Sequence, residues 1–544
     1  MLLIALLFSA LSVSAADDSL WTQARANGRR VDEVFCRTRR MLHGWLAYAD
    51  KETLLLPDRL PGLIRGKPNT QSVYTPHNSG ADNYPYLILT AYFTDPDLYR
   101  GRMAEMLRNE VRYTTAGGAI PADLDFRTRK LGAPSFFGAG EYAKDGLISV
   151  TELLGRTPWF HRMVDMMEDF MLRAPVKTRF GGLPDTGAEL NGDVLQTLAR
   201  LIPMTSDPRF LQWAEQIAEA YFAEVLPANQ GLPGYRWDFD KRSGEPVTRL
   251  RDHGNELIVG LTLLAAVEQD LGRPQAAAWL PALRRMLDRV LASANPDGML
   301  YNEISNDTLQ PRGEKLSDNW GYVYGAVYAI YQISGEEKYR AAVRRVLANL
   351  PKYRNYDWEN GSMDGYADSI ESALYLVARE PVPEALDWIE SEMKTLVAYQ
   401  QEDGVIERWY GDGNWNRTLL LYAMMKSSGC YLKHWKPGVR LGAVRDGGRL
   451  LLSVAAPAAW SGSVAFDYAR HRRVLNFRKN YVRLNEWPEW FTVDENTLYR
   501  LEDPDSGKHD LRLGSELIEG YPLTVPQGGE RRLIVAAIGR PGSQ

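Results

Sequence analysis

The sequence predicts a mainly helical protein, a closed ring of helical hairpins in an (α/α)6 or (α/α)7 toroid, followed by a small sandwich-like all-β domain. Three observations carry this prediction. One type of helix junction recurs at intervals of roughly 50 to 65 residues. Helices that are apolar on one side alternate with helices that are apolar all round. After about residue 437, apolar residues alternate with polar ones, as they do in β-strands.

The chain is expected to begin with a secretory signal peptide, residues 1–15. This stretch is apolar and uncharged, and Val13-Ser14-Ala15 is the small-x-small pattern of a signal peptidase site. No later stretch is apolar for the roughly 18 residues of a membrane span. Cleavage near Ala15 therefore predicts a secreted or periplasmic protein that has no membrane segment after processing.

Composition narrows the class of protein. The 544 residues include 69 acids and 64 bases, a net charge of −5, so no basic surface field is expected for nucleic acid. Apolar residues make up 45% and charged residues 24%, which is ordinary for a globular chain. Tyr and Trp, at 28 and 15 copies, dominate the aromatics, and their flat faces and polar edges suit sugar stacking.

The outer helices are predicted from their start signals. Asp95-Pro96, Thr157-Pro158 and Asp207-Pro208 each place a capping side chain before a proline at the first helical position. Amphipathic runs follow these junctions, and each run leads into a polar loop rich in Gly and Asp. The next helix is apolar around most of its circumference, as in 257–267, 322–333 and 370–377, and is predicted to be an inner helix.

Closure of the ring would bring the first and last hairpins together. Cys36 lies in the first helix and Cys430 at the end of the last inner helix. We therefore expect these two cysteines to form a ring-closing disulfide in an oxidising compartment. Beyond the ring, Arg445-Asp446-Gly447-Gly448 between apolar runs is a hairpin signal. Residues 16–436 are predicted to form the toroid, and residues 437–544 the β domain.

Acidic residues gather where the inner helices begin, around one mouth of the ring. They form four pairs with i, i+4 spacing, which places both carboxylates of a pair on one helix face: Glu141 and Asp145, Glu189 and Asp193, Asp252 and Glu256, and Asp364 and Asp368. One interpretation is helix capping, since acids in a first turn complement the helix dipole. The other is a functional pocket, because Asp368 and Glu256 fall inside apolar runs where an unpaired carboxylate is costly.

Aromatic and polar residues at the same mouth are candidates for binding a sugar. Trp320, Trp409 and Trp415 lie in or beside polar loops and are candidates for stacking. The other candidate binding residues are Tyr142, Asp193, His253 and Tyr322. The sequence shows no His pair with metal-ligand spacing, no GxSxG motif, no P-loop and no helix-opening GxGxxG. We therefore expect neither a metal nor a cofactor.

The helical hairpins, the acidic and aromatic mouth and the C-terminal β domain together make the chain resemble the six-hairpin glycosidase superfamily of (α/α) toroids. The resemblance covers roughly residues 30 to 435, and no short motif ties it to one family. It implies an enzyme that acts on an oligo- or polysaccharide, as a glycoside hydrolase or as a polysaccharide lyase.

Three functions are consistent with these residues. A hydrolase would use one carboxylic acid and one carboxylate, Glu256 or Asp252 against Asp368 or Asp364. A lyase would remove a proton next to a uronate carboxylate, with His253, Tyr322, Tyr142 and Asn255 as candidates. The third is a glycan-binding toroid without catalysis.

Overall fold

The computed structural model describes residues 15–64, 67–69, 72–409 and 412–539. The predicted signal peptide therefore lies outside the described residues, apart from Ala15, which begins the first helix. Among the helices described, none combines the length and the hydropathy needed to cross a membrane.

The chain folds into two compact units. Arg37–Tyr422 and Ala469–Glu489 form the larger unit, and the smaller one comprises the chain up to Cys36, Ala423–Tyr468 and the chain from Trp490 onward. These limits differ from the predicted boundary between residues 436 and 437, because residues 469–489 pack with the helices rather than with the strands.

The helical unit is built from outer and inner helices that alternate along the chain. The outer helices are Ala15–Leu46, of which this unit contains the part from Arg37, then Ala104–Thr114, Pro158–Arg173, Pro208–Ala220, Pro274–Ala292, Glu337–Asn349 and Pro383–Val397. The inner helices are Tyr84–Thr94, Ile148–Leu154, Ala188–Thr205, Glu256–Asp270, Trp320–Ser334, Met363–Val377 and Asp412–Lys426.

Two of the three predicted helix caps are formed. Asp95 Oδ1 accepts a hydrogen bond from the Leu98 amide at 3.2 Å, and Asp207 Oδ1 accepts one from the Arg209 amide at 2.9 Å. Thr157 makes no side-chain capping bond, although Pro158 begins its helix as predicted.

Contacts between inner helices close the ring. Gly192 and Glu256 mark the tightest approach of two neighbours, since a Cβ at Gly192 would lie 2.2 Å from the Glu256 carbonyl carbon. The last inner helix meets the first through Asn416 Nδ2, which donates to Tyr86 O at 2.9 Å and to Thr90 Oγ1 at 2.7 Å. The predicted toroid is confirmed, with seven hairpins among the described residues.

Residues 469–489, called the returning segment below, close the end of the ring opposite the mouth. Arg483 donates to Glu152 at 2.6 Å near the end of one inner helix, and Arg200, on the next inner helix, donates to the same carboxylate at 3.2 Å. Arg379, just beyond another inner helix, donates to Glu486. All of these side chains except Arg379 are fully buried, so the segment is held by ion pairs with little contact with water.

The smaller unit is a β region with two antiparallel sheets. In one sheet the strand order is Arg440–Asp446, Arg449–Ala455, Glu530–Gly539, Leu498–Glu502 and His509–Leu513; in the other it is Tyr431–Leu432, Trp460–Ala465 and Tyr521–Val525. The predicted hairpin is confirmed, because Asp446 pairs with Arg449 across Gly447-Gly448. Residues 473–477 fall within the predicted β domain but instead continue from a helical turn, Arg470–Arg473, inside the segment 469–489.

The predicted disulfide is not formed. Cys36 and Cys430 are both thiols, and the Cys36 Sγ lies 3.9 Å from Oδ1 of Asp32, one turn earlier on the same helix. Cys430 is buried, and burial together with the nearby Asp467 carboxylate raises the pKa of its thiol.

Candidate active site

A cavity of about 300 Å³ opens at the predicted mouth of the ring. It lies in the size range of small-molecule sites. Loops and first turns of inner helices supply its wall, as the sequence predicts. The lining residues are Arg59, His77, Asn78, Asp82, Phe137, Glu141, Lys144, Asp145, Arg251, Asp252, His253, Asp318, Tyr322, Glu359, Asp364, Asp368, Trp409, Asn414 and Arg417.

Carboxyl groups outnumber cations on this wall. Eight of the lining residues are Asp or Glu and four are Lys or Arg. Confining so many carboxyls prevents all of them from ionising together, so their pKa values must separate. Within the described ranges no group of three or more His, Cys, Asp and Glu side chains has an arrangement that holds a metal ion.

Two π-helical segments shape one side of the cavity. Pro76–Asn83 carries His77, Asn78 and Asp82, and Tyr142–Leu147 carries Lys144 and Asp145. Such wider helical turns recur at functional sites because they re-aim side chains. The two segments touch at Gly146, where a Cβ would lie 2.8 Å from the Ala81 carbonyl oxygen.

Lys144 and Asn485 hold Asp145 as a carboxylate. Lys144 Nζ lies 3.0 Å from Asp145 Oδ1 and 3.5 Å from Asp193 Oδ1. Asn485, from the returning segment, donates to Asp145 Oδ1 at 3.1 Å. Burial alone would raise the pKa of Asp145, but the ammonium of Lys144 and the hydrogen bonds outweigh burial, and the pKa is lowered.

Asp252 is kept ionised by the histidine that follows it. His253 Nε2 lies 3.6 Å from Asp252 Oδ2, while its Nδ1 bonds to Glu189. Enclosure would raise the pKa of Asp252, but the charges of His253 and Lys144 lower it to about 2. The Asp252 and Glu189 carboxylates in turn raise the pKa of His253 to about 10, so this imidazole is protonated at neutral pH.

The backbone at His253 is strained. Its φ is 70°, a left-handed value that non-glycine residues adopt rarely and at a cost of roughly 1 to 3 kcal/mol. The His253 amide donates to Oε1 of Glu256 at 3.1 Å, which fixes the loop in this conformation.

The pKa of Asp364 is raised, whereas that of Asp252 is lowered. It lies in the first turn of Met363–Val377, which Ser362 caps, and Asn414 donates a hydrogen bond to it. Burial, with repulsion from Glu359 and Asp252, raises the pKa of Asp364 to about 8. Asp364 is therefore a protonated acid at neutral pH.

Asp368, one turn further along, forms the floor of the cavity. Tyr322 OH donates to its Oδ1 at 3.0 Å, and Arg417 Nη2 donates to the same atom at 3.1 Å. Arg417 also pairs with Glu371. Burial and the neighbouring Asp364 raise the pKa of Asp368, and Arg417 opposes that rise.

The structure places six of the predicted site residues together on the cavity wall: Asp252, His253, Tyr322, Asp364, Asp368 and Trp409. Trp409 stacks against the guanidinium of Arg59, 5.3 Å from the ring centre. Five others are buried and are not among the residues that line the cavity: Tyr142, Asp193, Glu256, Trp320 and Trp415.

Each of these five has a place in the core instead. Trp320 Nε1 donates to Ser369 Oγ at 3.1 Å, and Trp415 Nε1 donates to Leu396 O at 2.8 Å. Glu256 supports the His253 loop, Asp193 lies behind Lys144, and Tyr142 is fully buried. Adjacency to a polar loop does not reveal which side of a helix turn faces the cavity.

Sequence reasoning missed Asp82, Lys144, Arg417 and Asn485. Lys144 and Arg417 carried a usable signal, since each is a charged residue within a run that becomes buried. Asp82 lies in a π-helical segment that has no simple sequence period. Asn485 lies along the chain between the strands of the β region, four before it and four after it, and carries no signal that links it to the ring.

Fold and cavity together define the class of this protein, a helical-hairpin toroid with an acidic mouth. No protein-family model and no curated protein sequence matches the chain. Among solved structures, it is similar to a sugar epimerase from a ruminal bacterium, with 11% identity, a TM-score of 0.42, and coverage of 59% of this chain and 87% of that one.

Two other similar structures are carbohydrate-active enzymes by name. A family 76 glycoside hydrolase (mannosidase) from Bacteroides thetaiotaomicron is 11% identical at a TM-score of 0.40, covering 72% of this chain and 98% of that one. An unsaturated glucuronyl hydrolase specific for heparin is 16% identical at a TM-score of 0.40, covering 59% and 94%. All three TM-scores lie below 0.5.

Proposed function

We propose that this protein is a glycoside hydrolase in which Asp364 is the general acid and Asp252 is the base or nucleophile. The observation that carries the proposal is the separation of their pKa values within one cavity, about 8 for Asp364 and about 2 for Asp252. Glycoside hydrolysis needs one protonated and one ionised carboxyl group. The separation of pKa values makes Asp364 the protonated group and Asp252 the ionised one.

The reaction then follows from the two protonation states. Asp364 donates its proton to the glycosidic oxygen as the bond from that oxygen to the sugar carbon breaks. Asp252 takes a proton from the water that adds to the carbon, or attacks the carbon itself and is released by water in a second step. In either route one water is consumed, and one new reducing end is formed.

The neighbouring residues support these roles. Asn414 orients the Asp364 carboxyl, while Tyr322 and Arg417 hold Asp368 beneath it. Trp409, on the same wall, offers a ring face for a sugar.

None of the four residues that the sequence offers for a lyase is available on this wall as a base. His253 has a pKa of about 10 and already carries a proton at neutral pH. Burial and the Asp368 carboxylate raise the pKa of Tyr322 well above its usual value, and its hydroxyl is engaged with that carboxylate. Tyr142 and Asn255 are buried and are not among the lining residues.

The proposal is tested by incubating the protein with a panel of plant, algal and host glycans and following reducing ends together with the ultraviolet absorbance of unsaturated uronates. We expect new reducing ends without absorbance. Asp364→Asn and Asp252→Asn should each lower kcat by about 100- to 10,000-fold. Asp97→Asn, a control on a side chain that is 95% exposed, should leave kcat unchanged. Absorbance that rises with the reducing ends would instead establish elimination.

We further propose that the chain is exported, on the strength of the apolar run and peptidase pattern at residues 1–15. N-terminal sequencing of the protein recovered from outside the cytoplasm of its producing cells should begin at or near Ala16. A retained Met1 would contradict this proposal.

A further inference from the structure

We propose that a groove beside the active-site cavity binds an anionic group of the glycan, a carboxylate or a sulfate, and that Arg251 is the residue that recognises it. The inference deepens the proposed function, because it names the class of glycan that the hydrolase would take. The side groove is lined by Arg251, Asn302, Glu303, Arg312, Gly313, Glu314 and Lys315 and has a volume of about 530 Å³.

Arg251 connects the side groove to the cavity. It lines both, and it directly precedes Asp252, the proposed base or nucleophile. A sugar chain that places its scissile bond at Asp252 therefore reaches the groove with an adjoining residue. The size of the groove suits such a residue, since ligand sites commonly measure about 300 to 1,000 Å³.

Arg251 differs from the other cations of the cavity in its partners. Lys144 pairs with Asp145 and Asp193, and Arg417 pairs with Asp368. Arg251 is half-buried and forms no salt bridge among the residues that the structure describes, although its charge helps to lower the pKa of the neighbouring Asp252. A half-buried guanidinium that no carboxylate contacts directly can pair with an anion on a ligand.

The charges of the side groove also favour an anion. Glu303 is already paired with Arg249 at 3.1 Å, so its charge is balanced. Within the described ranges, the Lys315 ammonium donates to a neutral partner, the side-chain oxygen of Asn360, and forms no ion pair. Among the lining residues, this leaves one unbalanced carboxylate, Glu314, and three cations, Arg251, Arg312 and Lys315. The groove is therefore net positive.

The cavity and the side groove differ in charge, and this difference orients the bound glycan. The cavity is rich in carboxyls and repels an anionic sugar, whereas the groove attracts it. The charged sugar therefore occupies the groove, and the glycosidic bond next to it lies over Asp252 and Asp364. A guanidinium binds carboxylate and sulfate alike through paired N–H donors, so geometry alone favours both groups.

The test measures binding separately from turnover. Isothermal titration calorimetry at low salt would compare oligogalacturonate, oligoalginate and hyaluronan oligosaccharides with their neutral methyl esters, which keep the same sugars and linkages. Sulfated and desulfated chondroitin oligosaccharides form the arm that separates sulfate from carboxylate. We expect at least one charged oligosaccharide to bind about tenfold or more tightly than its uncharged form, the effect of one charge-assisted contact.

Three variants assign that preference to the groove. Arg251→Gln should remove the preference for the charged form and leave the affinity for the neutral form within about twofold. Arg251→Lys should retain part of the preference, and Arg312→Gln should reduce it, which keeps the test informative if Arg251→Gln fails to fold. Arg344→Gln, on an outer helix and not among the residues that line the groove, should change nothing.

Each result decides between the inference and its alternative. Equal binding of charged and neutral forms, equal weakening of both by Arg251→Gln, or no binding of any charged oligosaccharide overturns the inference. Binding through Arg251 without new reducing ends on any glycan would uphold the groove and reject the hydrolase. Cleavage of a neutral glycan with no preference for charged forms would reject the groove and uphold the hydrolase.

Discussion

Arg417 and Asn485 meet at the floor of the cavity, where Arg417 Nη1 donates to Asn485 Oδ1 at 3.0 Å across 68 residues of sequence. Asn485 also donates to Oδ1 of Asp145 at 3.1 Å and to the Lys144 carbonyl oxygen at 2.9 Å. One buried amide thereby connects two charged residues of the cavity wall. It is delivered by the returning segment, which the sequence places within the β region.

Asn485 is therefore predicted to be a positioning residue. Asn485→Ala removes the donor to Asp145 and the acceptor for Arg417, and we expect kcat to fall by up to about a hundredfold with a smaller change in KM. Asn485→Asp keeps an acceptor for Arg417 but loses the donor to Asp145, so it should not restore kcat. The measurement is the kinetics of both variants on a glycan identified with the wild type.

The matched control is Asn476→Ala. Asn476 and Asn485 share the returning segment and nearly the same left-handed φ, 59° and 60°. Asn476 is bonded to Pro203 O at a solvent-exposed site. A kcat that falls equally in both variants would show that the segment acts only through stability.

The raised pKa of Asp364 predicts how stability depends on pH. Its pKa of about 8 lies above the ordinary value of 3.8, so the native state holds a proton that the unfolded chain releases between these values. The native state therefore loses stability as pH rises from about 4 to about 8. Asp364→Asn cannot titrate and should gain on the order of 1 to 3 kcal/mol relative to wild type at pH 8.

Urea unfolding at pH 5 and pH 8 measures this difference. The gain from Asp364→Asn should be smaller at pH 5, because little of the penalty has developed there. Asp97→Asn, on the outer surface, should show no such growth with pH. A stability difference for Asp364→Asn that is independent of pH would argue against a protonated Asp364.

The buried ion pairs of the returning segment predict a large cost of neutralising one partner. Glu152 accepts from both Arg483 and Arg200, and all three side chains are about 1% exposed or less. Glu152→Gln removes the carboxylate that two buried guanidinium groups share, and Arg483 then keeps one carboxylate partner, Glu486 at 3.2 Å. We expect a loss of about 3 to 5 kcal/mol in the free energy of unfolding.

The comparison is an exposed pair on the outer helices. Lys338 Nζ lies 2.8 Å from Asp288, with side chains 50% and 46% exposed. Asp288→Asn should cost less than about 1 kcal/mol, because water screens and replaces the interaction. Equal losses from Glu152→Gln and Asp288→Asn in guanidinium unfolding would refute a dominant role for the buried network.

The helical ring was predictable because its signals are local and periodic. Pro158 and Pro208 begin helices as expected, and the apolar runs of the inner helices are buried. The returning segment was not predictable, since residues 469–489 lie within the stretch predicted as the β domain and only packing against distant helices decides their path. Long-range packing overrides local pattern at such places.

The candidate site was predictable in part for a similar reason. Asp252, Asp364 and Asp368 stood out as members of carboxylate pairs with i, i+4 spacing, and the structure gathers them in one cavity. Glu256 carried the same signal and faces the loop of His253 instead, because a helix turn separates residues that adjoin the cavity from those behind it. The i, i+4 spacing shows that two residues share a helix face, but it does not show whether that face lines the cavity or packs in the core.

The two cysteines give a prediction that contradicts the sequence pattern. Cys36 and Cys430 are both thiols, so protein purified from an oxidising compartment and unfolded in guanidinium without reductant should titrate two thiols per chain. In the native state Cys430 should stay unreactive, because burial raises its thiol pKa and shields it from reagent. Cys36 is partly exposed and should react first.

Reductant should leave Tm unchanged, and the matched measurement on Cys430→Ala should titrate one thiol. Absence of titratable thiols in the unfolded, unreduced chain would show instead that the ring-closing disulfide forms.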